Sequence, residues 1–196
     1  FIEVLICNIN SIIENFISFK RSYSLERLSK KNYIPVYSYN NLGSSEFINF
    51  VKGINPDLII SSQGHYINEK LRNIPKYGII NKHAGMLPKY RGVYPVFWAM
   101  LNDEKEIGVT IHFISNKIDD GEIILQEKIK IDSDDTFESL YKKVIRITPE
   151  LLYRAVEKIK AGEKKFLPNE IEDSSYYSYP KKNDIKSFKI KGYRII

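Results

Sequence analysis

"YGIINKHAGMLPKYRG", residues 77–92, is an apolar run that leads directly into an Asn and a His two apart, then a Gly-Met-Leu-Pro turn and a basic loop. A short unbroken apolar run is the pattern of a parallel strand covered on both faces. Residues 57–61, Asp-Leu-Ile-Ile-Ser, repeat that pattern upstream, and the opening run of residues 1–7 reads as another buried strand. Helical spacing is present at residues 24–31, followed by an extended stretch at 34–37. Ser44 and Ser45 are placed to N-cap a helix through Phe47, Ile48 and Val51, which Gly53 would end. Strands alternating with helices imply right-handed crossovers and a doubly wound, mostly parallel α/β sheet. Ligands of such sheets collect beyond the carboxyl ends of the strands. Asn81 and His83 are expected just past one strand end, and Gln63, Gly64 and His65 past another.

Further along, Pro95 suits the first turn of a helix through residues 96–101. Residues 107–114 and 122–131 read as two long strands joined by residues 116–121. Asp134, Asp135 and Thr136 then cap a long amphipathic helix with Phe137, Leu140, Val144, Ile147, Leu151 and Leu152 on its apolar side, and Pro149 is expected to kink it. There is no internal repeat and no low-complexity segment.

Composition narrows the function classes. A chain of 196 residues with 43% hydrophobic content can bury a substantial core within one domain. No apolar run approaches the roughly 18 residues of a membrane span, and no leader pattern is visible, so a cytoplasmic location is expected. The single Cys7 cannot pair within the chain and suits core packing. One Cys and three scattered His offer no ordinary zinc spacing, so no metal is expected. Net charge is +6, and residues 176–196 carry six basic residues against one acid. Two readings of that tail are open: a solvated surface, or contact with phosphate.

Taken alone, Asn-x-His serves as well for strand capping as for chemistry. The run Ile118-Asp119-Asp120-Gly121 supplies an acid in a tight loop, and it also has ordinary turn composition. Together the two elements make a chemical proposal. A neutral His beside a carboxylate carries protons near neutral pH, and an Asn amide offers N–H donors to an oxygen that becomes negative. No activated Ser or Cys accompanies them, so direct attack of an amine on an acyl donor fits better than a covalent enzyme intermediate.

Four motifs then follow in order: Asn81 and His83; Leu-Pro-x-Tyr-Arg-Gly at 87–92; Gly-Val-Thr-x-His at 108–112; and Asp-x-Gly at 119–121. This arrangement resembles the catalytic core of the folate-dependent formyltransferases, a family that acts on glycinamide ribonucleotide, methionyl-tRNA or nucleotide-linked amino sugars. The resemblance extends over about residues 1–162. It implies a Rossmann-like catalytic core at 1–165, a basic, Tyr-rich extension at 166–196, and 10-formyltetrahydrofolate as formyl donor. It also implies Asn81, His83 and Asp119 as the catalytic set, with Gln63, Gly64, His65, Tyr66, Ile67, Ile114, Lys117 and Ile118 lining the folate pocket. His112 is then a packed or supporting residue. By the same likeness the chain starts at the family's second strand, with the first strand missing.

For the acceptor, the tRNA enzymes carry a C-terminal β-barrel domain, and only about thirty residues follow Lys165 here. The expectation is therefore a nucleotide-linked amino sugar, in the synthesis of polysaccharide or lipopolysaccharide precursors. Methionyl-tRNA or glycinamide ribonucleotide is the runner-up, and a non-catalytic folate-binding remnant is the reading from another class. Arg91 and Tyr94 are expected near the acceptor. Tyr177 could stack on a nucleobase and Lys181 meet a diphosphate, or the tail's Tyr rings could pack it onto the core. The partners expected are small molecules, with no nucleic acid or membrane; dimers are common in the sugar branch.

Overall fold

The computed structural model describes residues 2–5, 25–62, 66–169 and 174–196. The expectations on Cys7, Gln63, Gly64 and His65 fall outside those residues. The chain divides into two compact units, Phe1–Asn55 and Pro56–Ile196.

In the first unit β1 (Ile2–Leu5) pairs antiparallel with β2 (Val36–Tyr39), with α1 (Leu25–Lys31) between them in sequence. α2 (Ser45–Ile54) starts where Ser44 Oγ accepts the Phe47 N–H at 3.1 Å. Gly53 does not end it. Asn55 does, in the left-handed conformation at φ 51°, with its own N–H turned back to the carbonyls of Val51 and Lys52. Asn tolerates that conformation because its short polar side chain can bond locally. The helix buries Phe47, Ile48 and Val51, and Tyr39 meets Phe47 edge-on at 4.9 Å.

The second unit runs β3 (Ile59–Ser61), α3 (Glu69–Arg72), β4 (Ile79–His83), β5 (Arg91–Gly92), α4 (Pro95–Leu101), β6 (Glu106–Phe113), β7 (Ile123–Lys130), α5 (Phe137–Lys160), β8 (Tyr176–Tyr177) and α6 (Lys182–Ile190). Its main sheet has the order β3-β4-β6-β7. The α/β architecture is the expected one. The sheet is mixed, with β3–β4 parallel and both β4–β6 and β6–β7 antiparallel. The physical reason is loop length: the short link from β6 to β7 can only return the chain antiparallel, because a parallel return needs a long crossover. β4 also runs farther than expected. Asn81 and His83 are ladder residues in its last turn of pleat, opposite His112 and Thr110 of β6, rather than lying beyond its end.

α5 covers β6 and β7. Thr136 and Ser139 form a reciprocal capping box at its start, with bonds of 3.1 and 2.9 Å. Leu140, Val144, Leu151 and Ala155 are at most 1% exposed, the apolar stripe that the helical period requires. Pro149 sits inside α5 without ending it. Its missing N–H leaves the Ile145 carbonyl without a helical donor, and Ile145 lies on the solvent side, 49% exposed, where water can serve. Downstream, β8 pairs parallel with β5, and α6 docks through the fully buried Phe188, stacked on Phe97 of α4 at 4.6 Å. Among the described residues no helix is long and apolar enough to cross a membrane.

Candidate active site

The period of two along a strand puts Asn81 and His83 on one face of β4, and the antiparallel register sets His112 and Thr110 of β6 beside them. The loop after β6 brings in the acid. Asp119 Oδ2 is 3.5 Å from His83 Nδ1, and Oδ1 is 3.6 Å from His112 Nε2. The Asp-x-Gly spacing has a steric cause: a Cβ on Gly121 would collide with the Phe113 carbonyl, so only Gly lets the turn close against the end of β6. Asp119 itself holds φ 49°, and the Gly92 N–H donates to its Oδ2 at 2.9 Å.

His83 is 5% exposed. Its Nε2 lies 2.7 Å from the Tyr90 carbonyl oxygen. A carbonyl can only accept, so Nε2 carries the proton of the neutral ring and Nδ1 turns its lone pair toward Asp119. Burial holds the imidazole below its ordinary pKa, opposed by the Asp119 charge and the Tyr90 carbonyl and reinforced by Lys82. The ring is therefore a neutral base at neutral pH, and a proton captured at Nδ1 sits between the ring and the carboxylate.

His112 is packed against the same group of residues. It is 1% exposed, donates from Nδ1 to the Phe113 carbonyl at 2.8 Å, and accepts at Nε2 from Asn81 Nδ2 at 3.3 Å. Its pKa is pushed down to about 4, chiefly by burial, with Asp119 opposing and His83 reinforcing the shift. The neutral ring fixes which way the Asn81 amide faces. One Asn81 N–H is committed to His112, and the second is left for another acceptor.

The turn after β4 is held from below. Thr110, fully buried, donates to the Gly85 carbonyl at 2.6 Å and accepts from Leu87 N–H at 3.3 Å. Gln126 Nε2 donates to both Thr110 Oγ1 and the Leu87 carbonyl, at 2.9 and 2.7 Å. Sequence reasoning missed Gln126. Gln126 stands directly opposite Thr110 in the ladder, but Glu127 and Lys128 follow it in β7, so the sequence does not set it apart from ordinary strand polarity.

The other expected site residues fall in several places. Ile114, Lys117 and Ile118 lie on the segment that leads to Asp119, with Ile118 54% exposed, Lys117 exposed and the Ile114 N–H bound to the Ile79 carbonyl at 2.7 Å. Tyr66 is exposed and Ile67 buried; they follow β3, whose Ser61 stands in register with Asn81. Tyr94 is half-exposed and Lys181 exposed. Two expectations need correction. Tyr177 offers no free ring face to a base, because pairing of β8 with β5 stacks it on Trp98 at 4.7 Å and on Tyr90 at 5.5 Å. Arg91 is 7% exposed and turns its Nη2 to Asn169, rather than outward to an acceptor.

Fold and site together define the class: an α/β protein whose mixed sheet presents an Asn–His–Asp constellation with a neutral, carboxylate-backed imidazole. The chain belongs to the formyl transferase family, which is matched over residues 9–156. It is 37% identical over 153 residues to the methionyl-tRNA formyltransferase of Kosmotoga olearia, covering 78% of this chain and 49% of that protein. It is also 37% identical over 161 residues to the bifunctional polymyxin resistance protein ArnA of Wigglesworthia glossinidia brevipalpis, covering 81% of this chain and 25% of that one. The chain thus spans about half the length, or less, of these curated relatives. Among solved structures it resembles the formyltransferase PseJ from Anoxybacillus kamchatkensis, solved with UDP-4,6-dideoxy-4-formamido-L-AltNAc and tetrahydrofolate, with a TM-score of 0.63 and 29% identity over 76% of this chain and 75% of that one. The sugar 3N-formyltransferase WlaRD, solved with dTDP and 5-N-formyl-THF, is similar at a TM-score of 0.62 and 28% identity over 79% of this chain and 53% of that one.

Proposed function

We propose that this chain transfers a formyl group from 10-formyltetrahydrofolate to the amine of a nucleotide-linked amino sugar. The observation that carries the chemistry is the pairing of an oriented Asn81 N–H with a neutral His83 whose Nδ1 faces Asp119. The acceptor amine attacks the formyl carbon and forms a C–N bond. The free Asn81 N–H stabilises the oxyanion of the tetrahedral intermediate. His83 takes the proton that the amine gives up and Asp119 stabilises the resulting imidazolium. The proton then passes to the donor nitrogen as its bond to the formyl carbon breaks. The Nε2–H bond to the Tyr90 carbonyl holds the neutral ring in place, and Asp119 joins in holding it once Nδ1 is protonated. The loop residues Ile114, Lys117 and Ile118, together with the segment after β3 that includes Tyr66 and Ile67, are the proposed folate side. Tyr94 and Lys181 are the proposed acceptor side.

The likeness to PseJ and WlaRD supports a sugar acceptor. The identity to methionyl-tRNA formyltransferases supports a second reading, a methionyl-tRNA acceptor. Incubating the protein with 10-formyltetrahydrofolate and either a panel of nucleotide-linked amino sugars, methionyl-tRNA or glycinamide ribonucleotide, with mass detection of one added formyl group, separates them. Formylated amino sugar is the expected product. Formylation of methionyl-tRNA alone would move the assignment to the second reading.

A further inference from the structure

Asn169 lies well beyond the four motifs, yet its side chain reaches the catalytic loop. α5 ends at Lys160, Gly162 takes φ 77°, and the returning chain forms an antiparallel bridge between Leu167 and Ile123, with bonds of 2.8 and 3.0 Å. Two residues on, the Asn169 Nδ2 group donates both of its hydrogens, one to the Asp119 carbonyl at 2.9 Å and one to the Gly121 carbonyl at 3.0 Å. Its Oδ1 and its own carbonyl accept from Arg91 Nη2 at 3.0 and 3.1 Å. Arg91 is buried and its Nε has no hydrogen-bond partner, so among the described residues Asn169 supplies the acceptors of that guanidinium. Next to Arg91, the Gly92 N–H grips the Asp119 carboxylate.

We propose that Asn169 is the positioning residue for Asp119. It ties the backbone of the Asp-x-Gly turn to the Arg91–Gly92 segment, so that one side-chain amide sets where the carboxylate stands relative to His83. An amide is suited to this because it donates twice and accepts on one planar group, matching two carbonyls on one side and a guanidinium on the other. The inference rests on the reading of Asp119 as the carboxylate that backs His83.

The test uses Asn169→Asp in the full chain. Aspartate keeps acceptors for Arg91, so the buried guanidinium stays paired, but both donations to the Asp119 and Gly121 carbonyls are lost. The turn should loosen and release the Gly92 N–H. Amide exchange at Gly92, followed by NMR, should quicken by roughly tenfold or more, while the core amides of Ile80 and Leu140 change little. Unchanged Gly92 exchange would overturn the proposal, with no acceptor substrate needed. In formyl transfer, kcat should fall about tenfold with the donor KM nearly constant, the pattern of lost transition-state stabilisation. Asn169→Gln, which keeps both functions of the amide, should recover part of the loss. In an Asp119→Asn background the same change should cost less than about twofold, because residues acting as a unit are not additive. An equal loss in both backgrounds would place Asn169 outside the Asp119 pathway. Wild-type turnover in Asp119→Asn alone would instead defeat the catalytic reading, while the Gly92 exchange result would still stand.

Discussion

At His83 the proposed chemistry rests on two nitrogens with different neighbours. A carbonyl holds the proton on Nε2, and Nδ1 is left as a base with a carboxylate behind it. Replacing His83 by Ala, or Asp119 by Asn, should lower kcat by roughly a hundredfold or more, as loss of general acid–base help does. Folate binding, read as a thermal shift, should persist. His112 makes a separate prediction about pH. The unfolded ring takes up a proton below its ordinary value of 6.5, whereas the folded ring resists until about 4. The unfolded state therefore binds more protons across that interval, and stability falls as pH drops from about 6.5 to about 4. His112→Gln should flatten that slope in pH-dependent melting, even if it lowers stability at neutral pH by removing the Asn81 contact. An unchanged slope would show that His112 does not control it. The candidate residues Asn81, His83 and Asp119 were legible because each sits in a short local motif. Asn169 and the Gly92 N–H were not, since they act on Asp119 from 50 and 27 positions away and backbone donors leave no mark in a sequence.

Among the elements, the apolar runs gave the strands and the 3.6-residue period gave α5, because burial imposes both patterns directly on the sequence. Strand direction was less legible. Nothing in the composition of β6 or β7 reports antiparallel pairing; only the shortness of the loop between them does. The end of α2 is hard to read from sequence because Gly53 advertises a helix stop more strongly than Asn55, which takes the left-handed turn. The tail had no decisive pattern; β8 pairs with β5, and α6 adds one fully buried ring, Phe188. Phe188→Ala should therefore cost about 3–5 kcal/mol, the usual range for emptying a buried Phe site. Differential scanning calorimetry would measure it. Gly121→Ala provides a contrasting case. Its methyl would meet the Phe113 carbonyl, so at least about 1–3 kcal/mol of overpacking strain is expected there, concentrated in the loop that carries Asp119. Should Phe188→Ala melt with the wild type, α6 would be only loosely attached to α4.

The molecule as a whole carries a surplus of positive charge, 30 basic residues against 24 acidic, and much of it lies in the segment containing α6. That surplus attracts any phosphorylated acceptor, so attraction alone does not separate a sugar nucleotide from a tRNA. Salt dependence does. A nucleotide-linked sugar offers a diphosphate and can release few counterions, whereas a tRNA held along its backbone releases many at once. With a sugar nucleotide, the acceptor KM should rise only several-fold between about 50 and 200 mM salt, since exposed charges are screened over about 8–10 Å in that range. A tRNA engaged through six to ten phosphates would lose roughly a thousandfold or more in affinity over the same interval. Lys181→Ala should make the sugar-nucleotide dependence shallower without altering the donor KM, because Lys181 is exposed and the proposed folate residues lie upstream of α4 or on the loop after β6. A steep salt dependence that Lys181→Ala leaves untouched would argue for an extended phosphate backbone, and so for the tRNA acceptor.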